Sequence, residues 1–281
     1  MLLFSEMPDT PITGATNDVF SEKFANSPLL VTIPLFTFAG YLMAESGTPR
    51  RLVNMSRAWL GWMPGGLAVV CLMASAFFTT FTGASGVTII ALGGLLHPIL
   101  MRERYPEKFS LGLITSSGSI GLLFPPSLPI ILYGIVAGTS IDQLFVAGII
   151  PGILFLLVLG GYSLVIGRRH DVVRTPFDAG EALRATWAAK WELLVPVVVI
   201  IAIYGIPGLT RGLVTIAEAS AVCALYLVVI EVFVYEDIKI YSRDPQVPDL
   251  FKVIRESVVM VGSIMIILGV ALGLTNYLVQ E

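Results

Sequence analysis

The chain has 281 residues, of which 56% are hydrophobic and 13% charged, with a formal net charge of -3 and a mean hydropathy of +0.85. A soluble domain of this length carries about a quarter charged residues, so a water-soluble fold is excluded. Nucleic acid is excluded as a partner, because no basic, aromatic-interleaved face exists.

The apolar residues come in blocks close to the ~20 residues that a bilayer core requires. They predict an all-α integral membrane protein, embedded in a lipid bilayer and crossing it several times. Residues 1–27 read as a polar tail carrying Glu6, Asp9, Asp18 and Glu22. The opening MLLFSEMPDT is acidic and short in apolar length, so no cleavable signal peptide is expected. Full spans are predicted over 29–45, 110–137, 144–167, 193–209, 213–234 and 257–279.

The basic residues set the orientation. All but Lys23 and Arg211 of the 17 Lys and Arg fall in four loops, 46–65, 102–109, 168–192 and 235–256. The positive-inside rule makes these loops cytoplasmic and the acidic tail external. The parity of the spans then fails only across 66–101, an apolar stretch flanked on both sides by cytoplasmic charge. A re-entrant hairpin restores it, with arms over 66–82 and 86–101 of roughly 24 Å each at 1.5 Å per residue. The arms meet at Thr82-Gly83-Ala84-Ser85-Gly86, where glycine permits a tight reversal and Ser85 can cap the second arm. Irregular backbone at that depth is tolerated only where protein or water covers it.

The span 110–137 contains Pro125, Pro126 and Pro129 near its middle. Proline has no N–H, so the carbonyls of Gly121, Leu122 and Pro125 lose their helical partners and the span breaks in two. Ser127 is placed to cap the second half-helix. Freed carbonyls are hard oxygen ligands for a small cation, and a half-helix N-terminus beside them favours an anion. Discontinuous helices of this kind form the binding sites of secondary transporters. A packing kink is the plainer alternative.

Smaller features read more simply. Cys71 and Cys223 are expected to be buried hydrophobes, His97 a packed histidine, and Glu45 and Glu231 solvated span ends. Glu218 is either an intramembrane functional carboxylate or an interfacial cap. In 178–192, Leu183, Trp187 and Trp191 recur at helical spacing and predict an amphipathic helix at the cytoplasmic surface. No paired catalytic His or Asp and no HExxH or GxSxG motif lies at bilayer depth, so no enzyme is expected.

The runs IPLFTFAGYLMAESG (33–47), TGASGVTIIALGGLLHPIL, GSIGLLFPPSLPIILYGIVAG (118–138), LFVAGIIPGILF (144–155) and TIAEASAVCALYLVVIEVFVY (215–235) together resemble the large membrane subunit of tripartite ATP-independent periplasmic (TRAP) transporters. The resemblance implies an inverted-repeat, elevator-type transporter of the bacterial inner membrane. It would take sialic acid, C4-dicarboxylates and other organic acids from a periplasmic binding protein. Sodium would be the coupling ion, with no other cofactor or metal, and a small membrane subunit the partner. Carried onto this sequence, the hairpin tip and the broken span place Gly83, Ser85, Gly86, Gly121, Leu122 and Pro125 at a sodium site. Ser85, Ser119, Pro126 and Ser127 border the substrate. The first transport repeat is expected over 28–167, an interfacial arm helix over 168–192, and scaffold spans over 193–281. One hairpin and one Pro-Pro break occur where the family has two of each. The chain is therefore expected to be a fragment holding one repeat. The alternative is a non-transporting assembly or regulatory protein. The tip reads TGASG where the family has S-G-S.

Overall fold

The computed structural model describes residues 28–83, 85–170, 172, 176–205, 214–242 and 248–280. Among them the regular structure is helical, with no strand beyond an isolated bridge between Lys239 and Asp249. After a 3-10 turn at Pro28–Val31 come α1 (Thr32–Glu45), α2 (Thr48–Leu60), α3 (Gly66–Thr82), α4 (Ser85–Arg102), α5 (Glu107–Ile120) and α6 (Leu128–Ala137). They are followed by α7 (Ile141–Arg169), α8 (Ala179–Ala188), α9 (Lys190–Tyr204), α10 (Ile216–Val228) and α11 (Leu250–Gln280). Four helices are long and apolar enough to cross a membrane: α4, α7, α11, and α10 extended through a π turn to Val234. The number rises to six if two bent pairs each count as one span, α5 with α6 at 45° and α8 with α9 at 61°.

Several boundaries differ from the sequence reading. The loop 46–65 contains helix α2, because Pro49 in its first turn is compatible with a helix start and Leu52, Val53 and Ser56 form a buried face. The last span begins at Leu250 rather than 257. The tail 1–27 and the loop position Thr210 lie outside the described residues. Glu218 resolves as a cap. It receives the Thr215 N–H at 2.7 Å, and the Thr215 hydroxyl accepts the Glu218 N–H at 3.3 Å, closing a capping box at the start of α10.

Helix α3 is the axis of the packing. Fourteen of its 17 residues are buried, and it packs against α1, α2, α4, α5 and α7. By contrast α7 turns large apolar side chains outward, among them Ile150 at 76% exposure and Leu157 at 68%. Such a face is stable in hydrocarbon and not in water.

The four basic loops converge on one end of the molecule. Arg57 at the end of α2 pairs with Glu103 after α4 at 3.1 Å, so the two arms of the hairpin start and finish together. A Cβ on Gly65 would collide with the Ser163 carbonyl of α7, and Trp59 donates its indole N–H to Thr186 of α8 at 2.9 Å. Arg51 reaches Asp237 beyond α10 at 2.6 Å. At the α7 start, Tyr204 donates to the Asp142 carbonyl at 3.1 Å, joining two connections poor in basic residues.

Arg51 organises the basic end. Each of its three guanidinium nitrogens meets a different carboxylate: Nε on Glu192 of α9, Nη2 on Glu231 at 3.1 Å, and Nη1 on Asp237 at 2.6 Å. Burial alone would lower its pKa, but the Asp237 bond and the Glu192 and Glu231 charges outweigh that and raise it. The Thr48 hydroxyl donates to Glu231 at 2.8 Å, and Tyr235 donates to Glu192 at 3.0 Å with its ring under the guanidinium. Glu231, expected in solvent, is fully buried. The π turn Val229–Val234 carries it inward, where Arg51 and Thr48 satisfy both oxygens. Cys71 and Cys223 are buried and unbridged, as expected. His97 is half-buried, and its Nε2 has no hydrogen-bond partner.

Two outcomes follow, one in intact cells and one for the purified protein. Single cysteines at Arg57 and Arg104 should both resist an impermeant maleimide added to the outside of intact cells, while one at Gly138 reacts. Opposite accessibility of positions 57 and 104 would make 66–101 a single crossing. Arg51→Gln leaves Glu192 and Glu231 buried without their counter-charge and should cost about 3–5 kcal/mol, read as a fall in thermal stability in detergent.

Candidate functional site

The hairpin tip and the broken span are built against each other. α3 ends where Gly83 adopts a left-handed φ of 62°, its N–H held by the Thr79 carbonyl at 2.9 Å. A side chain there would be strained by that φ and would collide with Leu128, the first residue of α6. Three further glycines let backbones meet. A Cβ on Gly40 of α1 would overlap Thr82 and the Phe81 carbonyl, and one on Gly121 would overlap the Ala76 carbonyl and Thr79 of α3. A Cβ on Gly118 would overlap Ile89 and lie 3.3 Å from the Ser85 carbonyl at the start of α4. Small residues are the means by which helices in lipid approach this closely.

The break follows from its prolines. α5 ends at Ile120, a 3-10 turn covers Gly121–Leu123, and Phe124 is extended. The Pro125–Pro126 peptide is cis, Ser127 is extended, and α6 starts at Leu128 with Pro129 in its first turn. The carbonyls released from the α-helical pattern find partners inside the turn. Gly121 accepts the Phe124 N–H at 3.1 Å and lies 3.3 Å from the Thr80 hydroxyl. Leu122 accepts the Ser127 hydroxyl at 2.5 Å. Ser127 thus stands at the N-cap position of α6 but makes no side-chain cap. Its hydroxyl is spent on the break instead.

Between tip and break lies a buried group of oxygens that no single motif announces. The Thr79 hydroxyl is 2.9 Å from Thr88 and 3.1 Å from the Gly118 carbonyl, and Thr82 is 3.1 Å from Thr88. All three threonines are at most 1% exposed. A hydroxyl has one proton, and Thr79 has two carbonyls in reach, that of Ser75 at 2.7 Å and that of Gly118. One of them is left with acceptor capacity to spare. The cluster offers neutral oxygens, the ligand type of a hard monovalent cation. Among the described residues no group of three His, Cys, Asp or Glu is placed to hold a metal.

The expected site residues divide. Gly83, Ser85, Gly121, Leu122, Pro125, Pro126 and Ser127 all belong to the tip, the break or their contact, and Gly121, Pro126 and Ser127 are buried. Gly86 and Ser119 are exposed on the outer faces of α4 and α5, and open space surrounds Gly86. Sequence reading passed over Thr79, Thr80 and Thr88, which sit inside apolar blocks, and named Thr82 only as the start of the tip. Their signal was the recurrence of hydroxyls at 75, 79 and 82 along one helix face opposite Ser117, Gly118 and Gly121.

Gly121→Val should push α5 off α3 and lower stability by about 1–3 kcal/mol or more. Gly86→Ala, with free space to fill, should leave the melting temperature within a degree or two. Equal effects of the two changes would contradict the close approach of α3 and the break.

A model of the family "Tripartite ATP-independent periplasmic transporter, DctM component" matches residues 1–280. The ectoine TRAP transporter large permease protein TeaC of Halomonas elongata is 37% identical over 212 residues, 75% of this chain and 48% of TeaC. The isethionate TRAP transporter permease protein DctMQ of Oleidesulfovibrio alaskensis is 36% identical, over 74% of this chain and 32% of that protein. The C4-dicarboxylate TRAP transporter large permease protein DctM of Vibrio cholerae is 31% identical, over 88% of this chain and 53% of that protein. The chain spans about half the length, or less, of these relatives.

Proposed function

Because the chain belongs to the DctM-component family of tripartite ATP-independent periplasmic transporters, a family of inner-membrane permeases and not of enzymes, we propose that it forms one inverted repeat of an elevator-type permease for sodium-coupled uptake of small organic acids. The observation that carries this reading is the contact of hairpin tip and broken span, where Thr79 meets Gly118 and Thr80 meets Gly121. Two interruptions of helical backbone at membrane depth are expensive unless a polar ligand or polar protein groups share the cost.

Sodium sits at the tip, with Gly83, Ser85, Gly121, Leu122 and Pro125 as its surroundings and the hydroxyls of Thr79, Thr82 and Thr88 as added ligands, while Gly86 faces away from it. Neutral oxygens bind the ion without trapping it, as a site that must also release its cation requires. The positive helix ends at the starts of α4 and α6 favour an anionic headgroup beside Ser85, Pro126 and Ser127, with Ser119 outside that contact. Ion and anion then offset each other's desolvation. C4-dicarboxylates and sialic acid are of that class, and the relatives named for ectoine and isethionate fit the same class of small charged solutes. A periplasmic binding protein delivers the substrate, and a small membrane subunit packs on apolar faces of α10 and α11. Helix α8, with Leu183 and Trp187 exposed, lies at the headgroup level.

The test uses a full-length permease carrying these residues. Ser85→Ala or Thr88→Val should raise the sodium concentration for half-maximal uptake roughly tenfold, the equivalent of about 1.4 kcal/mol. Replacing Pro125 and Pro126 together with alanine should abolish uptake by resealing the helix. Sodium-dependent uptake that survives the double alanine change would return the break to a packing kink.

A further inference from the structure

A groove of about 560 Å³ runs between α5 and α7 and opens at the end where the basic loops gather. Lys108 and His170 line its mouth, Phe109 and Tyr162 its wall, and Gly112 and Ser116 its depth. Ser116 lies two helical turns beyond Lys108, so the groove reaches roughly 12 Å below its charged mouth. Its polarity is therefore ordered: cationic at the surface, aromatic next, and apolar with small residues inside.

Nothing among the described residues neutralises the charge at the mouth. Among the described residues no carboxylate forms an ion pair with Lys108, or with Arg168 and Arg169 beside His170. Glu107 precedes Lys108 in the chain but is not among the groove residues. The Phe109 ring stacks on Tyr105 and lies 5.8 Å from Tyr162, which is 55% exposed, so the wall is held from behind while its tyrosine faces outward. Tyrosine in that position is typical of the membrane–water boundary. A Cβ at Gly112 would meet no atom within 4 Å, so the floor has room for a chain.

We propose that this groove binds an anionic diacyl phospholipid. The phosphate is held by the Lys108 ammonium and an imidazole N–H of His170, and one acyl chain lies along Gly112 toward Ser116. Basic pockets between membrane helices on the cytoplasmic side select anionic headgroups for this electrostatic reason. The site lies away from the hairpin tip and does not depend on the transport reading.

The purified chain in detergent is titrated with phosphatidylglycerol, phosphatidylcholine or inorganic phosphate, and bound lipid is counted by native mass spectrometry alongside thermal unfolding. Phosphatidylglycerol should be retained roughly fivefold better than phosphatidylcholine, and Lys108→Gln should remove most of that preference. Lys108→Gln with His170→Gln should abolish the preference without lowering the melting temperature of the lipid-free protein. Gly112→Leu, which fills open space, should weaken retention of both lipids. Equal retention of the two lipids by the unaltered chain would overturn the proposal. So would phosphatidylglycerol binding that survives all three changes. Stabilisation by inorganic phosphate alone, matching that of phosphatidylglycerol, would reassign the mouth to a free anion and overturn the lipid.

Discussion

Within a bilayer no water is at hand for an interrupted backbone, and this constraint governs the arrangement of the chain. The helical pattern stops twice in the apolar region, at Gly83 and again over residues 121–127. Each interruption leaves carbonyls and N–H groups that must be satisfied from nearby. The two are placed side by side, and hydroxyls close the account: Thr80 reaches Gly121, Ser127 holds Leu122, and Thr79 stands between Thr88 and Gly118. Glycines at 40, 118 and 121 make this possible by letting helix backbones come within reach. A polar centre therefore exists in an otherwise apolar bundle without a buried charge.

The opposite requirement holds at the basic end. There Arg51 gathers three carboxylates from α9, the π turn after α10 and the segment that follows. The hairpin grows from the helix that carries Arg51, and its base is tied again by Arg57 and Glu103. Charge at the surface fixes where the arms begin, and neutral oxygen chemistry fixes where they end. The arms span roughly 25 Å between these two layers.

Much of this was legible in the residues. Block length and hydropathy gave the long helices, the distribution of Lys and Arg gave the common end of the four loops, and Pro125 and Pro126 gave the break. These are local or additive signals. The Arg51 cluster was not legible, because its partners lie 141, 180 and 186 residues away, and nothing nearby marks Glu192 or Glu231 as buried. Helix α2 was hidden by its own arginines, which read as loop charge. Thr79, Thr80 and Thr88 were missed because a hydroxyl in an apolar helix looks the same whether it bonds its own preceding carbonyl or reaches across to a neighbour. Ser127 was placed correctly but given the wrong bond, since its position at the start of α6 fits a cap as well as it fits the Leu122 carbonyl.

The central claim is that tip and break form one cation-responsive unit. Amide hydrogen exchange of the purified chain in lipid nanodiscs, compared in sodium and in potassium at equal ionic strength, addresses it most directly. The account predicts slower exchange in sodium for peptides covering 79–89 and 118–128 together, with the Arg51 region unchanged. Exchange that is identical in the two salts, or a sodium effect confined to one of the two segments, would contradict it.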